Sequence, residues 1–135
     1  MSVEIDHLGI AVRSLEEGLR FYEQVLGMKH SHIESVGVER VNVAMFPAGS
    51  APEASRIELL EPSDPSSTIA SFLEKRGPGL HHMALRVDDL AAAIERLQEE
   101  GARLLNEPRA GAGGHTYVFV HPASTGGVLL ELIQK

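Results

Sequence analysis

Apolar and polar positions alternate along Ile5-Asp6-His7-Leu8-Gly9-Ile10-Ala11-Val12. That is the period of a strand, with the histidine on one face and an apolar neighbour on the other. The alternation returns in Leu80-His81-His82-Met83-Ala84-Leu85-Arg86-Val87, where His82 lies 75 positions after His7. At the same offset Ile5 maps to Leu80, Leu8 to Met83, Ile10 to Leu85, Val12 to Val87 and Leu15 to Leu90. A helical pattern follows each copy. In the first, Ser14 and Glu17 form a capping box, Leu15, Leu19, Tyr22 and Leu26 share one face, and Gly27 stops the helix. In the second, Asp88 or Asp89 caps a helix carrying Leu90, Ile94 and Leu97, closed by Gly101.

The remaining pattern also comes in pairs. Strands are expected at about 29–36 and 38–46, joined near Gly37, and at 57–60, stopped by Pro62. The 47–55 stretch, rich in Pro, Gly, Ser and Ala, is a loop. In the second half, strands are expected at 102–105, 116–120 and 128–133, with a flexible Gly111-Ala112-Gly113-Gly114 turn and a second turn at 122–127. Residues 63–79 connect the halves. They hold a short helix at about 68–75, with Ile69, Phe72 and Leu73 inward, broken by Gly77-Pro78-Gly79. The plan is βαβββ twice, an α+β fold with mixed sheets. We expect one domain over 1–135, with module one at about 1–62, the connector at 63–79 and module two at 80–135.

Composition narrows the function classes. A net charge of −7 argues against nucleic acid or an anionic membrane as partner, and an anionic ligand would need a local basic cluster. There is no cysteine, hence no disulfide and no thiolate metal site. No apolar run has the length of a membrane span, and the N-terminus lacks a signal pattern, so a cytoplasmic location is expected.

A second repeated pair carries the chemistry. Arg56-Ile57-Glu58-Leu59-Leu60 is echoed by Leu129-Leu130-Glu131-Leu132-Ile133, so each half holds one His near its start and one Glu near its end. An ionised carboxylate in an apolar strand is costly unless paired or metal-bound. Ion pairs to Arg56 and Arg86 are the plain alternative. Strand register makes His82, rather than His81, the ligand, and Glu58 has more need of a partner than Glu61 beside Pro62. Two imidazoles and two carboxylates suit Mn²⁺, Co²⁺, Ni²⁺, Fe²⁺ or Zn²⁺. On an octahedral ion they leave two positions for substrate oxygens, where a Lewis acid would stabilise an enolate. His30 and His32 are expected to be surface or structural residues; His115 and His121 are not placed by sequence. Lys75, Arg76 and Arg109 are the cations available to phosphate groups, and the glycine turn offers backbone N–H groups to an anion.

The stretches Ile5-Asp6-His7, Ile57-Glu58-Leu59-Leu60-Glu61-Pro62, Gly79-Leu80-His81-His82-Met83-Ala84, Val87-Asp88-Asp89 and His121-Pro122 through Gly127-Val128-Leu129-Leu130-Glu131-Leu132 resemble the vicinal oxygen chelate superfamily, and within it the methylmalonyl-CoA epimerase family. The resemblance runs nearly end to end. It implies paired βαβββ modules whose sheets curl around a central metal site, with His7, Glu58, His82 and Glu131 as ligands. It implies a metal-dependent isomerase that interconverts (2R)- and (2S)-methylmalonyl-CoA by C2 proton abstraction through an enolate, with Glu131 as catalytic base. Co²⁺ or Mn²⁺ comes first among the cofactors, with Ni²⁺, Fe²⁺ or Zn²⁺ behind, and the expected assembly on an acyl-CoA substrate is a homodimer. Some relatives carry a second Glu in the third strand. Here that position falls on Asn42 or Arg40, with Glu39 beside it, so the second acid/base is Glu39, the Asn42 region, a histidine or a water.

Two other functions fit the pattern. A glyoxalase I-type lactoylglutathione lyase would use the same two-His, two-Glu set. A non-catalytic small-molecule-binding protein of the same fold would want an aromatic cleft, and the chain has four Phe, two Tyr and no Trp. A ring-cleaving dioxygenase needs a free third position that Glu58 would occupy.

Overall fold

The computed structural model describes residues 2–110 and 114–135. The described chain divides into two compact units, one of His7–His81 and one of residues 2–6 with His82–Lys135. The first strand, β1 (Val3–Ala11), therefore starts in one unit and ends in the other. No helix among the described residues is long and apolar enough to cross a membrane.

The 7–81 unit is a four-stranded mixed sheet. After β1 come β2 (His32–Val36), β3 (Val41–Pro47) and β4 (Arg56–Pro62), in spatial order β2-β3-β4-β1. β1 and β4 are parallel; the other neighbours are antiparallel. Strand alternation gives the sheet two differently covered faces. Ile10, Ala44, Phe46, Ile57 and Leu59 pack under the first helix, and Phe46 and Leu59 are fully buried. Burying side chains of that size contributes about 2–3 kcal/mol each. Ala11, Val41, Val43, Met45 and Leu60 lie on the other face, against Ile69 and Leu73 of α2 (Thr68–Arg76).

The first helix departs from simple α periodicity. α1 (Leu15–Leu19) is capped by Ser14, whose Oγ accepts from the Glu17 N–H at 3.4 Å. It then widens into a π-helical segment, Arg20–Val25. The Leu26 N–H bonds the Phe21 carbonyl five residues back, and the Met28 N–H bonds that of Tyr22. The wider turn shifts the phase of the apolar stripe. Leu26, expected inward, is exposed, and Met28 packs inward instead.

The other unit repeats this order and sense. β5 (Gly79–Val87) is followed by α3 (Leu90–Glu99), β6 (Arg109–Ala110), β7 (Thr116–Val120) and β8 (Leu130–Gln134). The order β5-β8-β7-β6 matches β1-β4-β3-β2, again with the first and last strands of the module parallel. Asp89 caps α3 through the Ala92 N–H. Leu90, Ala93, Ile94 and Leu97 pack on Val118, Val120, Leu130 and Leu132. The strand expected at 102–105 is reduced to one bridge, Leu104 to Val120, and the edge strand forms later, at Arg109–Ala110. The alternation was there, but Asn106 takes a ladder position: its Oδ1 accepts the Phe119 N–H at 2.8 Å. The expected glycine turn lies, at 111–113, outside the described residues.

Candidate metal and active site

Register places each His diagonally across from a Glu. In the 7–81 unit, β1 runs beside β4 with Gly9 opposite Glu58, and His7 is two residues earlier on the same face. His7 Nε2 lies 3.8 Å from Glu58 Oε1, and both side chains are largely buried. In the other unit Ala84 stands opposite Glu131, and His82 is two residues earlier. His82 Nε2 lies 3.7 Å from Glu131 Oε1, with side chains 7% and 14% exposed. Each Glu thus has a small residue on one flank, Gly9 or Ala84. On the other flank stands a large apolar one, Met45 or Phe119. A small residue beside the carboxylate leaves room for the imidazole to lean across the strand. The apolar residue keeps water off the pair.

These spacings suit shared metal ligands better than hydrogen-bonded partners. Both exceed the range of a good N–H···O bond. Two donors held about 2.1 Å from one ion can stand up to about 4.2 Å apart. The donor chemistry, neutral imidazole with carboxylate and no sulfur, fits a divalent first-row metal. Arg86 does not pair with Glu131. It binds Asp6 Oδ1 at 2.9 Å and Glu4 Oε2 at 2.7 Å. The hydrogen bond to Glu4, then the charge of Asp6, holds its guanidinium pKa above the ordinary value.

The other sequence candidates divide by face. His81, next to His82, points away and stacks edge-on with Phe72, at 5.0 Å between ring centroids. Glu61, beside Pro62 and less in need of a partner by sequence, is nonetheless engaged: it accepts the Leu15 N–H at 2.8 Å and the Asn42 amide at 2.9 Å. Asn42 therefore lies on the α1 side, where it also accepts from Ser35 at 2.7 Å. The residues β3 sends to the Glu58 side are Val41, Val43 and Met45, all apolar. Glu39 is exposed in the turn before β3. His30 is held by Glu23 through its ring and its backbone, and those bonds lower the Glu23 pKa. His32 sits 3.4 Å from Glu34 on an exposed strand. His121 caps a 3₁₀ turn by accepting the Ala123 N–H. Arg76 covers the Phe72 ring.

Sequence reasoning missed two aromatic residues beside Glu131. Phe119 is its cross-strand partner and meets the His82 ring edge-on at 6.1 Å; Tyr117 follows on the same face, 5.7 Å from Phe119. The alternation Tyr117-Val118-Phe119-Val120 was the available signal, but only register shows which aromatic stands opposite the Glu. Asp6, visible in the sequence only as part of a motif, is buried at 1% exposure between Arg86 and Lys135.

Residues 6–119 match the model of the Glyoxalase/Bleomycin resistance protein/Dioxygenase superfamily. The chain is 38% identical over 133 residues to the ethylmalonyl-CoA/methylmalonyl-CoA epimerase of Cereibacter sphaeroides, covering 96% of each protein. Its fold is similar to the crystal structure of methylmalonyl-CoA epimerase from Mycobacterium tuberculosis, at TM-score 0.86 and 40% identity, over 96% of this chain and 86% of that one. It is also similar to a variant of the Streptomyces coelicolor methylmalonyl-CoA epimerase in complex with 2-nitronate-propionyl-CoA, at TM-score 0.88 and 35% identity, over 97% and 96%. With this topology, this paired donor set and these likenesses along nearly its whole length, the chain belongs to the glyoxalase/bleomycin resistance/dioxygenase superfamily and groups there with the methylmalonyl-CoA epimerases.

Proposed function

We propose that the protein is an epimerase interconverting (2R)- and (2S)-methylmalonyl-CoA, and that His7, Glu58, His82 and Glu131 together hold one divalent cation. The observation that carries the proposal is the doubled arrangement of His, small residue and opposing Glu, in a chain that groups with epimerases along nearly its full length. Co²⁺ or Mn²⁺ comes first among the ions the resemblance implies, with Ni²⁺, Fe²⁺ or Zn²⁺ behind; two imidazoles and two carboxylates suit all of them. When bound, such an ion would supply Lewis-acid stabilisation of the charge that develops on the thioester oxygen as the C2 proton leaves.

The residues do the rest. Glu131 takes the C2 proton on one face of the substrate. A carboxylate bound to the ion would be a poorer base than a free one, so Glu131 would have to detach from the ion or act from beside it to take that proton. Phe119 excludes water beside it, which strengthens the electrostatics there. Proton return to the other face needs a second carrier. Val41, Val43 and Met45 leave β3 without one on the Glu58 side. The same resemblance extends the proposal to a homodimer working in the cytoplasm.

The test is exchange at C2 of methylmalonyl-CoA in D₂O, followed by mass spectrometry, with protein stripped of metal and then reloaded with Co²⁺ or Mn²⁺. Metal-dependent deuterium uptake is expected. Absence of uptake with every candidate metal would remove the epimerase reading and bring the lactoylglutathione lyase reading forward.

A further inference from the structure

We infer that Arg109 binds a phosphate group of the acyl-CoA substrate, at the far end of an aromatic track that starts at Glu131; this rests on the function proposed above. The track lies within one unit and on one face of its sheet. Glu131 stands opposite Phe119, Tyr117 follows two residues along β7, and Tyr117 stands opposite Arg109 on the edge strand β6. The opposite face, with Val118, Val120 and Leu132, is sealed under α3. Two strand spacings across and two residues along place the Arg109 Cα about 12 Å from that of Glu131. That is too far for the acyl group held at the His–Glu pair. It suits the arm of a thioester that leads away over the rings of Phe119 and Tyr117.

Charge singles out Arg109. The chain carries a net −7, which repels a polyanionic substrate unless a local cation compensates. Arg86, on the same face, is neutralised by Asp6 and Glu4, and Lys135 also pairs with Asp6. Arg109 is exposed on the edge strand, and the ion pairs of this face, Arg86 with Asp6 and Glu4 and Lys135 with Asp6, do not include it. A guanidinium fork suits phosphate oxygens.

The test compares dissociation constants for methylmalonyl-CoA and methylmalonyl-pantetheine, measured by calorimetry on the full chain and on Arg109→Ala and Arg109→Lys. Arg109→Ala is expected to weaken the CoA thioester about tenfold, the size of one charge-assisted contact. The pantetheine thioester should shift less than about twofold, with Arg109→Lys between the two. Equal weakening of both thioesters would assign Arg109 to the acyl carboxylate or to the fold, and no weakening of either would leave it without a role; each outcome overturns the inference. If the unmodified protein binds neither thioester, the epimerase reading itself falls, which separates the two failures.

Discussion

Replacing Asp6 by Ala should destabilise the protein by about 2 kcal/mol. Asp6 is 1% exposed, and one oxygen accepts from Arg86 Nη1 and Lys135 Nζ, each at 2.9 Å. The two contacts are not equal. Lys135 is 39% exposed, so solvent screens its pair and its share is about 0–1 kcal/mol. Arg86 is only 19% exposed, and a hydrogen bond to a charged group contributes about 1.5–3 kcal/mol. Loss of the carboxylate also relieves its own desolvation, which pulls the sum down toward 2 kcal/mol. Arg86 keeps Glu4, which is 62% exposed and recovers little. For a chain of this length about 2 kcal/mol lowers Tm by roughly 8 °C. Calorimetry and urea unfolding of Asp6→Ala, Arg86→Ala and the double variant measure the loss and the coupling. A single-variant loss below about 0.5 kcal/mol, with additive double-variant behaviour, would refute the reasoning that the buried Asp6–Arg86 contact carries this stability.

His82→Ala and Glu131→Ala should each lose at least about tenfold in metal affinity, with turnover, while circular dichroism stays native; full metal content by elemental analysis in either variant would cancel the ligand assignment. The Glu23–His30 contact should fail in acid. Because the folded Glu23 carboxyl titrates below its ordinary 4.5, its stabilisation is present above that value and lost as pH falls through the lowered one. Urea unfolding of Glu23→Gln and the natural chain should therefore differ at pH 7 and converge as the pH falls below the lowered value; a constant gap would mean the shift comes from elsewhere.

The module plan was legible because it rests on short-range patterning. Strand alternation around His7 and His82, the Ser14 and Asp89 caps and the Gly27 and Gly101 stops all depend on residues within a few positions of one another. The missing 102–105 strand has the opposite origin, since the Asn106 side chain takes the Phe119 N–H thirteen residues away. The Leu26 error is local: bonds five and six residues back widen the helix and shift a stripe that ordinary α periodicity placed inward. Glu61 looked less in need of a partner than Glu58 because its own partners, Leu15 and Asn42, are distant in sequence.

By itself the sequence determined that there are two like halves, each with one His and one Glu on apolar strands, in a chain without sulfur ligands. Periodicity and composition suffice for that, because they need no knowledge of what lies across the sheet. Tertiary structure alone decided which residue stands beside each carboxylate: Gly9 and Met45 at Glu58, Ala84 and Phe119 at Glu131. It alone turned Asn42 toward α1 and set Arg109 and Tyr117 on the face of Glu131. Strand register is the reason. A one-residue slip moves every side chain to the other face, and register is chosen by the packing of the whole sheet rather than by any stretch within it.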